Sequence, residues 1–169
     1  MSDRTLGEQV GKKQPFESEA QEAHLNMLRS ASMLAGPFHA MFKKHRLTDA
    51  SYNTLRILRG HHLAGETQGV RASRIGSGMV VRVPDVTRIV DRLVAMGLAE
   101  RHACDQDRRV VFVKITPPGL DVLAQLDEPI NELHRSLLDH MSSAELKQLI
   151  RLLEKARERV EDDGDSHCP

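Results

Sequence analysis

Tryptophan is absent from this chain, tyrosine occurs once, and aromatic residues make up only 3% of its 169 positions. A core without large rings must come from Leu, Val, Ile, Met and Ala, a mix that suits helices. Apolar residues reach 40%, enough for one domain with a substantial core, or a core plus arms. Cysteine is scarce too. Cys104 and Cys168 cannot make a disulfide framework, which fits a reducing compartment. No apolar run approaches the ~20 residues of a membrane span, and the opening MSDRTLGEQVGKKQP lacks the apolar segment of a secretory signal. A cytoplasmic protein with no membrane partner is therefore expected. A Gly-rich phosphate loop, a nucleophile elbow and metal-hydrolase spacing are all missing, so neither an enzyme nor a bound cofactor or metal is expected. No internal repeat is present.

Net charge is zero, which by itself argues against a nucleic-acid partner. Its distribution argues the other way. Residues 69–114 carry nine basic side chains (Arg71, Arg74, Arg82, Arg88, Arg92, Arg101, Arg108, Arg109, Lys114) against five acidic ones (Asp85, Asp91, Glu100, Asp105, Asp107). Residues 117–169 reverse the balance, six against twelve. A basic middle and an acidic end suit a chain that meets a polyanion through its middle.

Residues 1–16 show no periodicity and read as a mobile arm. From about Ser18 to Arg46, Leu28, Ala31, Leu34, Phe38 and Met41 recur at helical spacing, with a kink or break expected at Gly36-Pro37. Thr48 is a good N-cap for a helix carrying Tyr52, Leu55 and Leu58, which Gly60 should stop. Residues 61–69 read as a loop, and 70–79, with Gly76 and Gly78, as a weak short helix. Next comes RVPDVTRIVDRL. Val86, Ile89, Val90 and Leu93 lie on one helical face. Pro84 suits the first helical position and Gly97 the C-terminal cap, which predicts a helix over 84–96. Residues 98–102, the turn ACDQD and the alternating RRVVFVKIT make a β-hairpin. Thr116-Pro117 opens a helix with a stripe of Leu123, Leu126, Ile130, Leu133 and Leu137, which Pro129 is expected to bend. Ser142 and Glu145 form a capping box before a last helix whose stripe runs from Leu146 to Val160.

Helix, helix, short helix, helix, hairpin, then two long helices is the order of a winged helix-turn-helix. The fold expected is mainly α, with a β-hairpin wing and N- and C-terminal helices forming a dimerisation region. The divisions are an arm (1–16), an N-terminal dimerisation helix (17–46), a winged DNA-binding domain (47–116), C-terminal dimerisation helices (117–162) and a disordered tail (163–169). In such a motif the second helix of the pair enters the major groove of DNA. Its apolar stripe would leave Asp85, Thr87, Arg88, Asp91 and Arg92 facing the groove, with Arg82 and Pro84 at its entry. Arg88 suits the bidentate contact to guanine, Thr87 a thymine methyl or a phosphate, and Asp85 cytosine N4 or an arginine. The hairpin tip adds Asp107, Arg108 and Arg109. A narrow minor groove attracts an inserted arginine. Arg108 is the better candidate, and Arg109 suits pairing with Asp107, although sequence alone does not assign the two. The competing reading is a solvated, locally paired charged face.

The stretch 84–119 resembles the MarR (multiple-antibiotic-resistance regulator) family of winged-helix transcription regulators. It carries Val86-Thr87-Arg88 at the helix start, Leu93 to Gly97-Leu98 at its exit, Asp107-Arg108-Arg109 in the wing and Thr116-Pro117-Pro118-Gly119 at the return. The resemblance spans about residues 20–160. It implies a homodimer on palindromic operators and repression relieved by a small ligand or by oxidation. It also implies a ligand pocket near the dimer helices, for which Met33, Phe38, Phe42, Tyr52 and Arg56 are the candidates; plain core packing is the alternative for each. One departure concerns the cap. Family members often place Ser or Thr before the recognition helix, where Val83 has no side-chain oxygen, so the helix start must find its partners elsewhere. The glycine-rich RIGSGM before it suggests a supporting helix that is mobile without DNA.

The physical case for a dimer is separate. Three long helices each carry an apolar stripe that a small winged core cannot bury. Half-sites about 10 bp apart would follow. The competing classes are a winged-helix protein-interaction module and a metal- or redox-sensing regulator of the same fold. There are nine histidines, but metal sensing would need Glu22, His39, His61 and His62 to converge. Redox sensing would need an activated thiolate at Cys104.

Overall fold

The computed structural model describes residues 4–66, 68–103 and 111–165. The element order is α1 (Leu6–Gln9), α2 (Glu19–Lys44), α3 (Asp49–Leu63), β1 (Val70–Arg71), α4 (Ala72–Ser77), α5 (Val86–Ala95), β2 (Ala99–Ala103), β3 (Val111–Ile115), α6 (Pro117–Leu138) and α7 (Ser143–Asp165). Two units are distinguished, residues 1–130 and 131–169. No helix among the described residues is long and apolar enough to cross a membrane. The wing tip, with Cys104, Asp107, Arg108 and Arg109, and the end of the tail, with Cys168, lie outside the described residues.

In the first unit, α3, α4 and α5 pack with the sheet and the start of α6 around one core. Leu55, Leu58, Ile75, Leu93, Val113 and Leu123 are among its buried members. Each such aliphatic side chain contributes about 1.5–3 kcal/mol on burial. The sheet has the order β1-β3-β2 and is antiparallel throughout, with Ala99 opposite Ile115 and Ala103 opposite Val111. Val113 and Ile115 point into the core, whereas Val111 is exposed where the strand leaves it.

Several boundaries differ from the sequence reading. The N-terminal segment contains a turn of helix, α1, with a capping box between Thr5 and Glu8 and a buried Leu6. A single turn is too short to show a period. Helix α2 runs without a break through Pro37. The ring removes one hydrogen bond to the preceding turn, but Phe38, Met41 and Phe42 just beyond it pack on the core and hold the helix in register. Helix α3 passes through Gly60 and ends after Leu63. A glycine within a helix costs only about 1 kcal/mol, and the turn that stops this one is at Gly65, whose φ of 81° suits glycine.

Residues 70–71 are strand rather than helix: Val70 pairs with Val113 on the open edge of β3. Gly69 makes that pairing possible. Its φ is 90°, and a Cβ there would lie 2.7 Å from the Val113 carbonyl oxygen. Gly76 of α4 and Gly78 at its cap face side chains of neighbouring segments. A Cβ on Gly76 would lie 3.4 Å from Val86, and one on Gly78 3.3 Å from Ile57.

Helix α6 continues through Pro129, with Leu123, Leu126 and Ile130 buried. In the second unit, α7 opens with the expected capping box. The Ser142 N–H donates to Glu145 Oε2 at 2.8 Å, and the Glu145 N–H donates to Ser142 Oγ at 3.3 Å. The Ser142 hydroxyl also donates to Glu145 Oε2 at 2.7 Å, and this bond, with the one from the Ser142 N–H, holds the Glu145 carboxyl below its usual range.

Candidate nucleic-acid interface

The helix expected over 84–96 is α5, Val86–Ala95. Val90 and Leu93 are buried, and Val86, Ile89 and Val94 pack against the same core. Pro84 lies outside the helix, one residue before its cap. The cap is Asp85, whose Oδ1 accepts the Arg88 N–H at 3.0 Å. The helix start therefore needs no external partner, and the absence of an oxygen on Val83 has no consequence. Asp85 satisfies one of the helix's free N–H groups from within the chain.

Arg82, Pro84, Asp85, Thr87, Arg88, Asp91 and Arg92 are all exposed. Three of them are engaged within the protein. Asp85 is the cap. Asp91 pairs with Arg101 of β2, whose guanidinium also donates to the Thr87 carbonyl at 3.4 Å. Arg92 Nη2 donates to the Arg46 carbonyl at 3.0 Å. Arg46 closes the turn after α2 with a φ of 60°, unusual for a residue with a Cβ. The start of the wing and the end of α2 are thus both tied to α5. Arg82, Arg88 and the Thr87 hydroxyl form no such bond among the described residues, which leaves two cations and one hydroxyl facing outward at the helix start.

The joint between α5, the wing and α6 is built around Thr116. Its N–H donates to the Leu98 carbonyl at 3.2 Å and its hydroxyl to the Gly97 carbonyl at 2.6 Å. The same hydroxyl oxygen accepts the Gly119 N–H at 3.3 Å. Gly97 has a φ of 72°. A Cβ on Gly119 would lie 2.3 Å from the Leu98 oxygen. The Thr-x-x-Gly return is therefore a steric and hydrogen-bonding requirement of this joint.

Phe38, Phe42, Tyr52 and Arg56 come together. The Phe42 and Tyr52 rings stack at 4.4 Å, Phe38 lies 6.4 Å from Phe42, and Arg56 donates to the Tyr52 hydroxyl at 3.1 Å. Met33, 65% exposed, stands apart in solvent. Glu22, His39, His61 and His62 do not form one set. His39 pairs with Asp49, and His61 with Glu66, each at 2.8 Å. The His61 hydrogen bond, with Arg74 beside it, holds the Glu66 carboxyl below its usual range. Among the described residues no group of three such side chains is arranged to hold a metal ion. A cleft of about 280 Å³ lies beside His61, His62, Glu66, Glu100 and Lys114.

Sequence reasoning missed Arg101, Asn53 and the Arg59–Asp127 pair. Arg59 of α3 grips Asp127 of α6 through two hydrogen bonds of 2.7 and 2.8 Å. That contact holds the Asp127 carboxyl below its usual range. Asn53 Oδ1 accepts the Val80 N–H at 2.8 Å. The partners are 68 and 27 residues apart, so no local pattern announces them.

Helices α3, α4 and α5, a three-stranded wing sheet and a helix start whose cationic side chains have no partner among the described residues define a winged-helix transcription regulator. The comparisons name its family. The MarR family model matches residues 47–111. The crystal structure of a MarR transcription factor from Planctomyces limnophilus is 36% identical, with 83% of this chain and 98% of that one covered and a TM-score of 0.63. The chain belongs to the MarR family. Two further structures share the fold. The S. aureus MepR–DNA complex is 19% identical, covering 81% of this chain and 96% of that one with a TM-score of 0.69. Bordetella bronchiseptica BpsR, described for the regulation of its DNA binding by 6-hydroxynicotinic acid, is 22% identical, covering 85% and 97% with a TM-score of 0.69.

Proposed function

We propose that this regulator binds a palindromic operator as a homodimer, represses transcription and is released by a small-molecule effector. The observation that carries the reading is the outward start of α5, where the side chains of Arg82, Thr87 and Arg88 have no bond to the described residues while Asp85, Asp91 and Arg92 brace the helix. Arg88 takes the base contact, Thr87 and Arg82 meet the backbone or its flanks, and a wing arginine, Arg108 before Arg109, enters the minor groove. Support for a dimer comes from exposed apolar side chains on α2 (Leu25, Leu28, Leu34) and on α7 (Ile150, Leu153, Val160). Stripes of that length on a regulator mark an interface. The small-molecule arm is supported by BpsR, a protein of the same fold. An aromatic effector would have to part the stack of Phe38, Phe42 and Tyr52.

The test is a selection of random duplex DNA on the purified protein at low and high salt. A palindrome with half-sites about 10 bp apart is expected, with affinity falling steeply as salt rises through counterion release. Arg88→Ala should cost roughly 1–3 kcal/mol and relax specificity at one position, and Arg108→Ala should cost affinity mainly at A·T-rich flanks. Recovery of no motif, with salt-insensitive binding to protein partners instead, would overturn the reading in favour of an interaction module.

A further inference from the structure

The five residues Met79-Val80-Val81-Arg82-Val83 connect α4 to α5. Met79 is buried and Val83 packs against the core. The segment between these anchors has little freedom. The Met79 N–H donates to the Gly76 carbonyl at 3.3 Å, the Thr54 hydroxyl reaches Met79 Sδ at 3.8 Å, and the Val80 N–H is held by Asn53. Gly78 lies tight on Ile57. With both ends anchored, the three middle side chains are turned to solvent. Val80 is 87% exposed and Val81 71%.

A single exposed valine needs no explanation. Two adjacent β-branched ones, on a pinned segment that leads to the outward start of α5, do. Among the described residues the Arg82 and Arg88 guanidinium groups beside them have no ion-pair partner, and the Asp85 carboxylate is turned to the helix cap, where it accepts the Arg88 N–H. A surface that is apolar, rigid and flanked by cations matches the thymine edge of a base pair. There the major groove presents a methyl group close to the phosphates.

We infer that Val80 and Val81 read thymine methyl groups at the edge of each half-site, as apolar specificity determinants beside Arg88. The inference rests on the DNA-binding reading above. It adds a preference that hydrogen bonding cannot supply, since only the C5 methyl separates thymine from uracil.

The experiment uses the full chain and the operator recovered by duplex selection, with deoxyuridine replacing each thymine in turn. That change removes a methyl and keeps every hydrogen-bonding group. The wild type should lose about fourfold in affinity at one or two thymines per half-site, the value of one buried methyl group. Val80→Ala and Val81→Ala should show the same loss on the unmodified operator and no further loss on deoxyuridine. Both side chains are exposed, so their thermal midpoints should match the wild type. Specific binding that ignores every thymine methyl would overturn the inference and leave the DNA-binding reading standing. So would valine variants that keep the full deoxyuridine penalty, which would assign the methyl contact to Thr87. Failure to bind any DNA specifically would overturn both.

Discussion

Replacing glycine by alanine should have opposite effects at two helical positions of this protein. Gly60 lies within α3, and a Cβ built there meets nothing within 4 Å. Gly60→Ala should recover the helix propensity that glycine lacks and stabilise the fold by about 0.5–1 kcal/mol. Gly119 stands at the start of α6, where a Cβ would be 2.3 Å from the Leu98 oxygen and 2.8 Å from Ile115 Cγ1. An ordinary carbon–oxygen contact is about 3.3 Å, so the shortfall is about 1 Å against backbone rather than against a flexible side chain. Relief requires α6 to move off Leu98. That movement strains the Thr116 hydrogen bonds to Gly97 and Leu98. Overpacking of this kind costs about 1–3 kcal/mol. At about 2–4 °C per kcal/mol for a chain of this size, Gly60→Ala should raise the thermal midpoint by about 1–4 °C and Gly119→Ala lower it by about 2–12 °C. Circular dichroism melts at one fixed protein concentration would measure both, which keeps the contribution of any self-association constant. Equal shifts of the same sign would refute the steric account of the Thr-x-x-Gly return.

The ties around α5 and α6 lead to three more expected outcomes. The Asp127 carboxyl titrates lower in the folded than in the unfolded chain, because Arg59 bonds its charged form. Its contribution is therefore fully present above the unfolded value of about 3.9 and lost as pH falls through the folded one. Asp127→Asn should cost about 1 kcal/mol at neutral pH, since Asp127 is 40% exposed and Arg59 only 19%. It should also flatten the acid limb of stability against pH; an unchanged limb would show that the pair does not set it. Asp85→Ala should cost about 1 kcal/mol through loss of the cap, and Asp85→Asn much less. Arg92→Ala should lower stability by about 1 kcal/mol and leave the salt slope of operator binding unchanged. A shallower slope would mean that Arg92 meets a phosphate rather than the Arg46 carbonyl.

What could be read from sequence was short in range. The stripe Val86-Ile89-Val90-Leu93 specifies one face of a helix because a helix repeats every 3.6 residues. The Ser142–Glu145 box and the Thr48 cap are decided within four residues. The alternation through Val113 and Ile115 marks a strand for the same reason. These features specify the winged helix-turn-helix and the outward face of α5.

The tertiary structure decided which outward charges are committed. Asp91 and Arg92 look in sequence like Arg88: polar residues opposite an apolar stripe. Only the approach of β2 brings Arg101 to Asp91, and only the end of α2 offers Arg92 a carbonyl. The strand β1 is likewise invisible, because two residues have no period and Val70 becomes strand only where β3 has an open edge. Glycine proves necessary at Gly119 and Gly69, where a Cβ would come within 2.3 and 2.7 Å of another segment's backbone oxygen. Local chemistry determined the elements and their faces. Contacts between residues far apart in the chain determined which side chains brace the structure and which remain free for a partner, and no short stretch of sequence carries that information.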